Sequence, residues 1–306
     1  MRLIATALAI ALAAAGLAPA GTAAPVAASG VPIDCPVSMA SVDSDGHYRA
    51  IRVSGTTSRA PSVTDFGAVT GLTSVRSLAT GSLDADSSTP AESYHETTHL
   101  GTGTNVIFQL VARGDAAGTR ATAQNLASRW GGFRRTVLAS SLLPHHYLYG
   151  LHDNGSLYRY RVTYGSGGHP SLTSAGHVPG FGTVRDITLI GRTPQYDALL
   201  ANTTDGRLIL VKIPVTTTMT AATTTIRART WQGFDHLAVG SCINPAGGVV
   251  TTLIGTNSST GAAYAYRMGF LRDATTPIEG LGRLAGTWRY PTLAAVFDAT
   301  THPRGA

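Results

Sequence analysis

The fold is predicted first from the sequence Gly155-Ser156-Leu157-Tyr158-Arg159-Tyr160-Arg161-Val162. Tyr158, Tyr160 and Val162 stand two residues apart with arginines between them, and such alternation marks one face of a β-strand. Asn154 precedes Gly155, and an Asn-Gly pair tolerates the positive φ angles that a tight hairpin requires. The stretch therefore predicts a hairpin turn that leads into a strand.

The same pattern occurs in four further copies along the chain, at residues 46–53, 103–110, 206–213 and 261–268. The fifth position after the glycine is apolar in every copy: Ile51, Phe108, Tyr160, Val211 and Tyr266. The seventh position is apolar as well: Val53, Leu110, Val162, Ile213 and Met268. An internal repeat with a period of roughly 50 residues is typical of propellers and solenoids.

A second series has the same number of members and joins a small residue to a large apolar one. Its copies are Gly71-Leu72, Gly132-Phe133, Gly180-Phe181, Gly233-Phe234 and Thr287-Trp288. Short apolar strands are predicted after four of them, at residues 136–139, 187–190, 237–239 and 293–296. A tryptophan precedes the pair at Trp130 and Trp231, and this alignment gives Val69, Val178 and Ala285 as the matching positions.

The fold class predicted from both series is all-β, a five-bladed β-propeller closed by pairing of the N- and C-terminal strands. Units of about 40–50 residues with four short strands are typical of propeller blades. The first strand pattern has no Gly-aromatic pair before it, and the last such pair has no strand pattern after it. The two incomplete ends therefore make one blade between them. A two-sheet sandwich is the alternative architecture.

The first residues of the chain are typical of a secretory signal peptide, with Arg2 followed by an uncharged apolar run and then small residues. A membrane anchor is the alternative, but the run is shorter than the ~20 residues needed to span a bilayer. We expect a signal peptide at residues 1–24, a linker at 25–34 and the propeller at 35–306. The protein is then secreted and extracellular.

Two cysteines, Cys35 and Cys242, are present in the chain. In an exported protein such a pair is predicted to form a disulfide, and ring closure brings the two positions close together; two free buried thiols are the alternative. The net charge of +6 is spread along the chain, whereas nucleic-acid binding requires a basic stripe or cluster. We expect no nucleic-acid partner.

A family resemblance is carried by two segments. Leu148-Tyr149-Gly150, followed by Asn154-Gly155 and Leu157-Tyr158, resembles the repeat of tachylectin-like proteins. Trp231-Gln232-Gly233-Phe234 is similar to the other half of that repeat, and Trp130-Gly131-Gly132-Phe133 has the same pattern. The resemblance covers residues 130–162 and 231–268 best. It implies a five-bladed propeller that binds amino sugars such as N-acetylglucosamine in pockets between blades.

The predicted function is therefore that of a secreted, non-catalytic, lectin-like protein that binds glycans of a cell surface or cell wall. The candidate carbohydrate-binding residues are Trp130, Trp231, Asp153, Asn154, Asp205, His146 and Tyr147. Packing between blades is the alternative role for the tryptophans, and turn formation is the alternative for the Asp and Asn residues. We expect a monomer without cofactor, metal or membrane insertion.

Two catalytic functions are alternatives to sugar binding. His95-Glu96-Thr97-Thr98-His99 fits the HExxH zinc motif, which requires a helix. This segment, however, occupies a predicted strand, where the two His would be about 13 Å apart. A propeller glycoside hydrolase would use paired carboxylates. Asp186 and Asp235 stand at the starts of inner strands and either is a candidate for one of the two, but the general acid is then missing, and turn capping is their alternative role. A protein-binding scaffold with degenerate sugar pockets is the third alternative.

Overall fold

The structure is a computed structural model that describes residues 30–69, 75–82, 92–102, 106–115, 118–128, 130–139, 145–164, 170–244 and 246–297. The predicted signal peptide and most of the predicted linker lie outside these residues. The strands, in chain order, are β1 (Pro32–Val42), β2 (His47–Thr56), β3 (Ser62–Ala68), β4 (Val75–Ser82), β5 (Glu92–Thr102), β6 (Val106–Asp115), β7 (Gly118–Ser128), β8 (Phe133–Ala139), β9 (Tyr147–His152), β10 (Leu157–Tyr164), β11 (Pro170–Val178), β12 (Val184–Arg192), β13 (Tyr196–Thr203), β14 (Leu208–Pro214), β15 (Ala222–Arg227), β16 (His236–Ile243), β17 (Val249–Asn257), β18 (Ala262–Met268), β19 (Ile278–Arg283) and β20 (Ala294–Val296).

The described strands form four-stranded antiparallel sheets, each built from consecutive strands with one exception. Sheet I has the order β20-β1-β2-β3, so its first strand comes from the far end of the chain. Sheets II, III, IV and V contain β4–β7, β8–β11, β12–β15 and β16–β19. In sheet I, β20 lies antiparallel to β1, with Ala295 opposite Met39.

The first strands of the sheets lie around a common axis. β20 contacts β4, β4 contacts β8, β8 contacts β12, and β12 contacts β16. β16 in turn contacts β20. The strands farther from the axis are more exposed: β13 is buried almost throughout, whereas most of β15 faces solvent. Buried inner strands, exposed outer strands and radial stacking of sheets define an all-β propeller. The two-sheet sandwich is excluded.

The repeated hairpin predicted from the sequence is confirmed where the structure describes it. Gly46, Gly155, Gly206 and Gly261 have φ angles between 69° and 92°, a conformation that glycine adopts without the steric cost that other residues incur. Each glycine precedes the third strand of its sheet, or β2 in sheet I. The fifth copy, at Gly103, lies outside the described residues.

The HExxH segment lies on β5, as a strand rather than a helix. The backbone register places His95 opposite Arg113 and His99 opposite Gln109. The prediction that this segment is a strand is therefore confirmed. In a strand its residues rise by about 3.3 Å each, which separates the two histidines along the chain.

The predicted disulfide is present and joins sheet I to sheet V. Cys35 on β1 and Cys242 on β16 are bonded, with their Cα atoms 5.6 Å apart and 207 residues of sequence between them. Both cysteines lie within strands. The bond therefore ties the N-terminal strand to the last sheet before the chain returns to sheet I.

Candidate functional site

Sheet III contains a cluster of four aromatic side chains near the start of β8. Trp130 lies 4.6 Å from Phe133 and 4.8 Å from Tyr160, measured between ring centroids. Phe133 meets Tyr158 edge-on at 5.5 Å and Tyr160 edge-on at 6.0 Å. Such tilted and edge-on contacts are the favourable geometries for aromatic rings. We call Trp130, Phe133, Tyr158 and Tyr160 the first quartet.

Sheet V contains a matching set, Trp231, Phe234, Tyr264 and Tyr266, which we call the second quartet. Trp231 lies 5.6 Å from Phe234 and 5.0 Å from Tyr266, again between centroids. Phe234 lies 6.1 Å from both Tyr264 and Tyr266. Burial raises the pKa of the inner tyrosine in each set, Tyr160 and Tyr266. The two segments that carry the family resemblance therefore build the same local structure.

A glycine beneath each phenylalanine makes the quartets possible. A Cβ atom added to Gly150 would lie 2.6 Å from the ring of Phe133. The same addition at Gly255 would lie 2.7 Å from the ring of Phe234. Both distances are too short for van der Waals contact, so the phenylalanine packs flat on bare backbone. This contact explains the glycine in the Leu-Tyr-Gly segment that ends at Gly150.

The tryptophans are the buried members of the quartets, and the outer tyrosines are the accessible ones. Trp130 is 4% exposed and Trp231 is 5% exposed. Tyr158 is partly exposed, and Tyr264 is 38% exposed. The outer tyrosines are therefore aromatic side chains of the quartets that reach solvent. Trp130 and Trp231 contact the phenylalanine and the inner tyrosine of their own quartets.

The predicted polar residues beside the first quartet belong to the β9–β10 turn. Asn154 donates from Nδ2 to the hydroxyl of Tyr158 at 3.0 Å, and its Oδ1 accepts the N–H of Ser156 at 3.0 Å. Asp153 lies 3.1 Å from Nη2 of Arg76. Both Asp153 and Asn154 are exposed. They therefore combine turn chemistry with open positions next to an accessible tyrosine.

Asp205 occupies the matching turn of sheet IV, between β13 and β14. It lies 2.9 Å from Nε of Arg207 and accepts a hydrogen bond from the hydroxyl of Thr203. The hydrogen bond from Thr203, followed by that from Arg207, lowers the pKa of Asp205. Sheet IV has Ile209 and Val211 at the two tyrosine positions, so no aromatic face accompanies this turn.

His146 and Tyr147 lie at the opposite end of sheet III from the first quartet. The register pairs Phe133 with His152 at one end of β8 and Ala139 with Tyr147 at the other. Tyr147 is 3% exposed, and the guanidinium of Arg159 lies 4.7 Å from its ring centroid. The structure therefore does not bring these two residues together with the tryptophans.

The residue of this segment that sequence analysis missed is His145. Its Nε2 lies 3.2 Å from the carboxylate of Asp197, which also accepts hydrogen bonds from Tyr149 at 2.9 Å and from Arg192 at 3.1 Å. Burial, followed by the charge of Asp197, raises the pKa of Tyr149 well above its usual value. Asp197 lies on another sheet, so no local sequence pattern indicates this contact.

A hydrogen bond between neighbouring units corrects the predicted alignment of the repeat. The N–H of Trp231 donates to the carbonyl of Gly206, the hairpin glycine of the preceding sheet, at 3.0 Å. The equivalent bonds are Val69 to Gly46 at 3.0 Å, Phe181 to Gly155 at 2.8 Å and Trp288 to Gly261 at 3.1 Å. The assignment of Val69 to the tryptophan position is confirmed. Val178 and Ala285 were wrong, because Phe181 and Trp288 occupy that position.

This error arises because the units of sheets III, IV and V have a second large apolar residue, three places after the tryptophan position. Phe234 and Phe133 each donate a backbone N–H to the carbonyl of the tryptophan before them, and Val184 does the same to Phe181. Sheet IV therefore has an aromatic residue at the first position and an aliphatic residue at the second. The sequence alignment placed Phe181 at the second position, whereas the structure places it at the first. Distance from the hairpin glycine, which is 23 to 27 residues in the described pairs, would have identified them.

The axis of the propeller holds a second group of polar side chains. A small cavity that opens to solvent is lined by the first strands of the sheets. Its polar lining includes Arg76, Arg135, Asp186, His236 and Thr292. Nε of Arg135 lies 2.7 Å from Oδ1 of Asp186, and Oδ2 accepts the N–H of Leu237 at 2.5 Å.

The two buried titratable groups at the axis are shifted by desolvation. Burial raises the pKa of Asp186 to about 6, although Arg135 acts against this shift. Burial, aided by the positive charge of Arg135, lowers the pKa of His236 to about 3. At neutral pH the carboxylate is mostly ionised and the imidazole is neutral. Asp235 accepts hydrogen bonds from the backbone N–H and hydroxyl of Ser258, which is the turn-forming role.

No group of three or more His, Cys, Asp or Glu side chains suited to a metal ion occurs among the described residues. Within the same part of the chain, the structure contains no helix of the length and apolarity needed to cross a membrane.

Comparison with known proteins gives likenesses in structure alone. No protein-family model matches the chain, and no curated protein sequence matches it. AofleA from Arthrobotrys oligospora superposes with a TM-score of 0.47 at 12% identity, over 88% of this chain and 73% of AofleA. A triple Arg-to-Ala variant of AofleA gives 0.48 at 12% identity, over 89% and 75%. The WD40 domain of SCAP from fission yeast gives 0.35 at 11% identity, over 78% and 53%. At such low similarity no feature of those proteins is transferred to this chain.

Proposed function

We propose that the protein is a secreted, non-catalytic lectin that binds amino sugars of cell-surface or cell-wall glycans, on a five-bladed propeller closed by β20. The observation that carries the proposal is the repetition of one aromatic quartet in sheets III and V. Each quartet includes a tyrosine that reaches solvent, Tyr158 in sheet III and Tyr264 in sheet V. Rigid aromatic faces with few polar neighbours are the usual means of holding small ligands.

The polar residues of the β9–β10 turn fit the same function. Asp153 and Asn154 are exposed next to Tyr158, and carboxylate and amide groups form hydrogen bonds with sugar hydroxyl and acetamido groups. Asp205 lies in a sheet with Ile209 and Val211 at the two tyrosine positions, and His146 and Tyr147 lie at the opposite end of sheet III from the first quartet. Within the proposed site they are therefore secondary to the residues that surround the quartets.

Secretion and the closed ring are supported by separate observations. A disulfide such as Cys35–Cys242 is typical of oxidising, extracellular environments. The pairing of β20 with β1 supports a ring in which sheet I is the fifth blade. A ring of this kind packs each sheet between two neighbours and leaves only short, protected edge strands.

A glycan array probed with the purified full chain tests the function, followed by calorimetry on any ligand found. We expect binding to glycans that end in N-acetylated amino sugars. The double substitution Tyr158→Ala and Tyr264→Ala should abolish binding with little loss of stability. Tyr196→Ala is the matched control. Tyr196 is half-buried and lies in sheet IV, at the end of β13 away from the β13–β14 hairpin, so it is not part of either quartet. Failure to bind any glycan would contradict the proposal and favour a protein-binding scaffold.

A glycoside hydrolase is the second candidate, and the raised pKa of Asp186 favours it. A carboxyl group with a pKa near 6 inside a cavity is typical of a general acid. Its ion pair with Arg135 argues against that role, and so does the absence of a second acidic residue from the described lining of the cavity. Release of reducing sugar by the wild type, lost in Asp186→Asn, would support the hydrolase. No release from glycans that bind would support the lectin.

A further inference from the structure

The two quartets differ at their accessible ends. In sheet III, Tyr158 on β10 lies opposite His177 on β11. The two rings are stacked, with centroids 5.0 Å apart and planes inclined by 21°. His177 itself is exposed. One face of Tyr158 is therefore covered by a side chain that faces solvent.

In sheet V the same position has no such cover. Tyr264 on β18 lies opposite Arg283 on β19, so Arg283 takes the place of His177. Arg283 is exposed, and within the described residues it is not among the cations that lie over an aromatic ring. Tyr264 is 38% exposed and is one of the most exposed large apolar side chains in this part of the chain.

Asn154 adds to the difference between the two ends. Its amide donates to the hydroxyl of Tyr158, and His152 lies 5.5 Å from the same ring. The residue before the hairpin glycine of sheet V is Thr260, whose N–H is bonded to Asn257. Tyr158 thus contacts His177 with one ring face, accepts a hydrogen bond from Asn154 at its hydroxyl, and has His152 beside its ring.

We infer that Tyr264 is the working sugar-stacking surface, and that His177 acts as a specificity-determining cover that closes the equivalent surface in sheet III. The inference rests on the proposed lectin function and identifies which of its two sites is open. A ligand at Tyr158 must displace His177 and lose the stacked pair. An aromatic pair of this kind corresponds to a loss of affinity of several-fold to about tenfold. The chain therefore has one strong site and one weaker site.

Chemical modification tests the cover without any sugar. Tetranitromethane nitrates accessible tyrosine rings, and peptide mass spectrometry identifies the modified residues. We expect Tyr264 to be nitrated several-fold faster than Tyr158 in the wild-type chain. His177→Ala should raise the rate at Tyr158 to that at Tyr264. Arg283→Ala, the matched change in sheet V, should leave both rates unaltered. Equal rates in the wild type would overturn the inference.

Calorimetry with chitotriose, the trimer of N-acetylglucosamine, tests the consequence for binding. We expect one strong site per chain in the wild type, two in His177→Ala, and none in Tyr264→Ala. Two equal sites in the wild type would overturn the assignment of the open site while leaving the lectin function intact. Failure of every variant to bind chitotriose would contradict the amino-sugar function itself, and the site assignment with it, whatever the nitration rates.

Discussion

Nε of Arg135 on β8 lies 2.7 Å from Oδ1 of Asp186 on β12, so an ion pair joins the first strands of sheets III and IV at the axis. The remaining guanidinium nitrogens of Arg135 donate to the carbonyls of Arg134 at 2.8 Å and Asp235 at 3.0 Å. Asp235 belongs to the segment that leads into sheet V. The side chain of Arg135 thus links its own sheet III to sheet IV and to the segment before sheet V.

Replacing Arg135 by Met should leave the buried carboxylate of Asp186 without its cation. Breaking a buried ion pair on one side costs about 3–5 kcal/mol, and the pKa of Asp186 should rise further above 6. The loss should therefore be largest at neutral pH and smaller below pH 6, where Asp186 is protonated. Urea unfolding at pH 7 and pH 5 measures it. Arg185→Met is the control, because it removes an exposed arginine that lies next to Asp186 on β12. An equal effect of the two changes would contradict the prediction.

As the pH falls, His236 should lower the free energy of unfolding and Asp186 should raise it. The folded pKa of His236 is about 3, below its ordinary value of 6.5, so the unfolded chain binds that proton first. Stability is therefore lost as the pH falls from about 6.5 towards 3. The folded pKa of Asp186 is about 6, above its ordinary value of 3.8. Its contribution is present at low pH and is lost as the pH rises through that range, by roughly 3 kcal/mol.

Two substitutions separate these contributions. His236→Gln should reduce the loss of stability between pH 7 and pH 4, because the unfolded state no longer gains that proton. Asp186→Asn should increase the loss, because the opposing contribution is removed. Urea unfolding free energies for both variants and the wild type at several pH values give the comparison. The same pH profile in all three proteins would show that neither group controls it.

The repeat pattern made most of the fold predictable from the sequence. Positive-φ glycines such as Gly155 and the two-residue alternation that follows them depend on local backbone geometry, which a sequence displays directly. The pairing of Cys35 with Cys242 followed from the order of the units. These features are set by neighbours along the chain or by the topology as a whole.

The sites were less predictable because they depend on contacts between distant segments. Trp130 and Trp231 were correctly matched to each other, but their burial under Phe133 and Phe234 follows from packing on Gly150 and Gly255. The cover that His177 places on Tyr158 depends on the register of two strands, and this register includes an irregularity between Tyr158 and Tyr160. An irregularity of one residue cannot be deduced from a period-two pattern.

The disulfide should contribute a large part of the stability, because it closes a loop that contains most of the chain. Its two cysteines are separated by 207 residues, and cross-linking a loop of that length stabilises by up to about 5 kcal/mol through the unfolded state. The double substitution Cys35→Ser and Cys242→Ser should therefore lower the unfolding free energy by about 2–5 kcal/mol. Urea unfolding measures the loss, and wild-type protein treated with a reductant should match the variant. An unchanged midpoint in both would contradict the prediction.

Trp288 should be important for stability but not for sugar binding, in contrast to Trp231. Both tryptophans are nearly fully buried, and both donate a backbone N–H to a hairpin glycine, so replacement by Ala should cost each about 3–5 kcal/mol. The sheet that follows Trp288 has Arg49 and Ile51 at the two tyrosine positions, so no quartet forms there. Chitotriose affinity, measured where all variants remain folded, should fall for Trp231→Ala and stay unchanged for Trp288→Ala. Equal losses of affinity would show that the tryptophan position acts through the ring as a whole rather than through its own quartet.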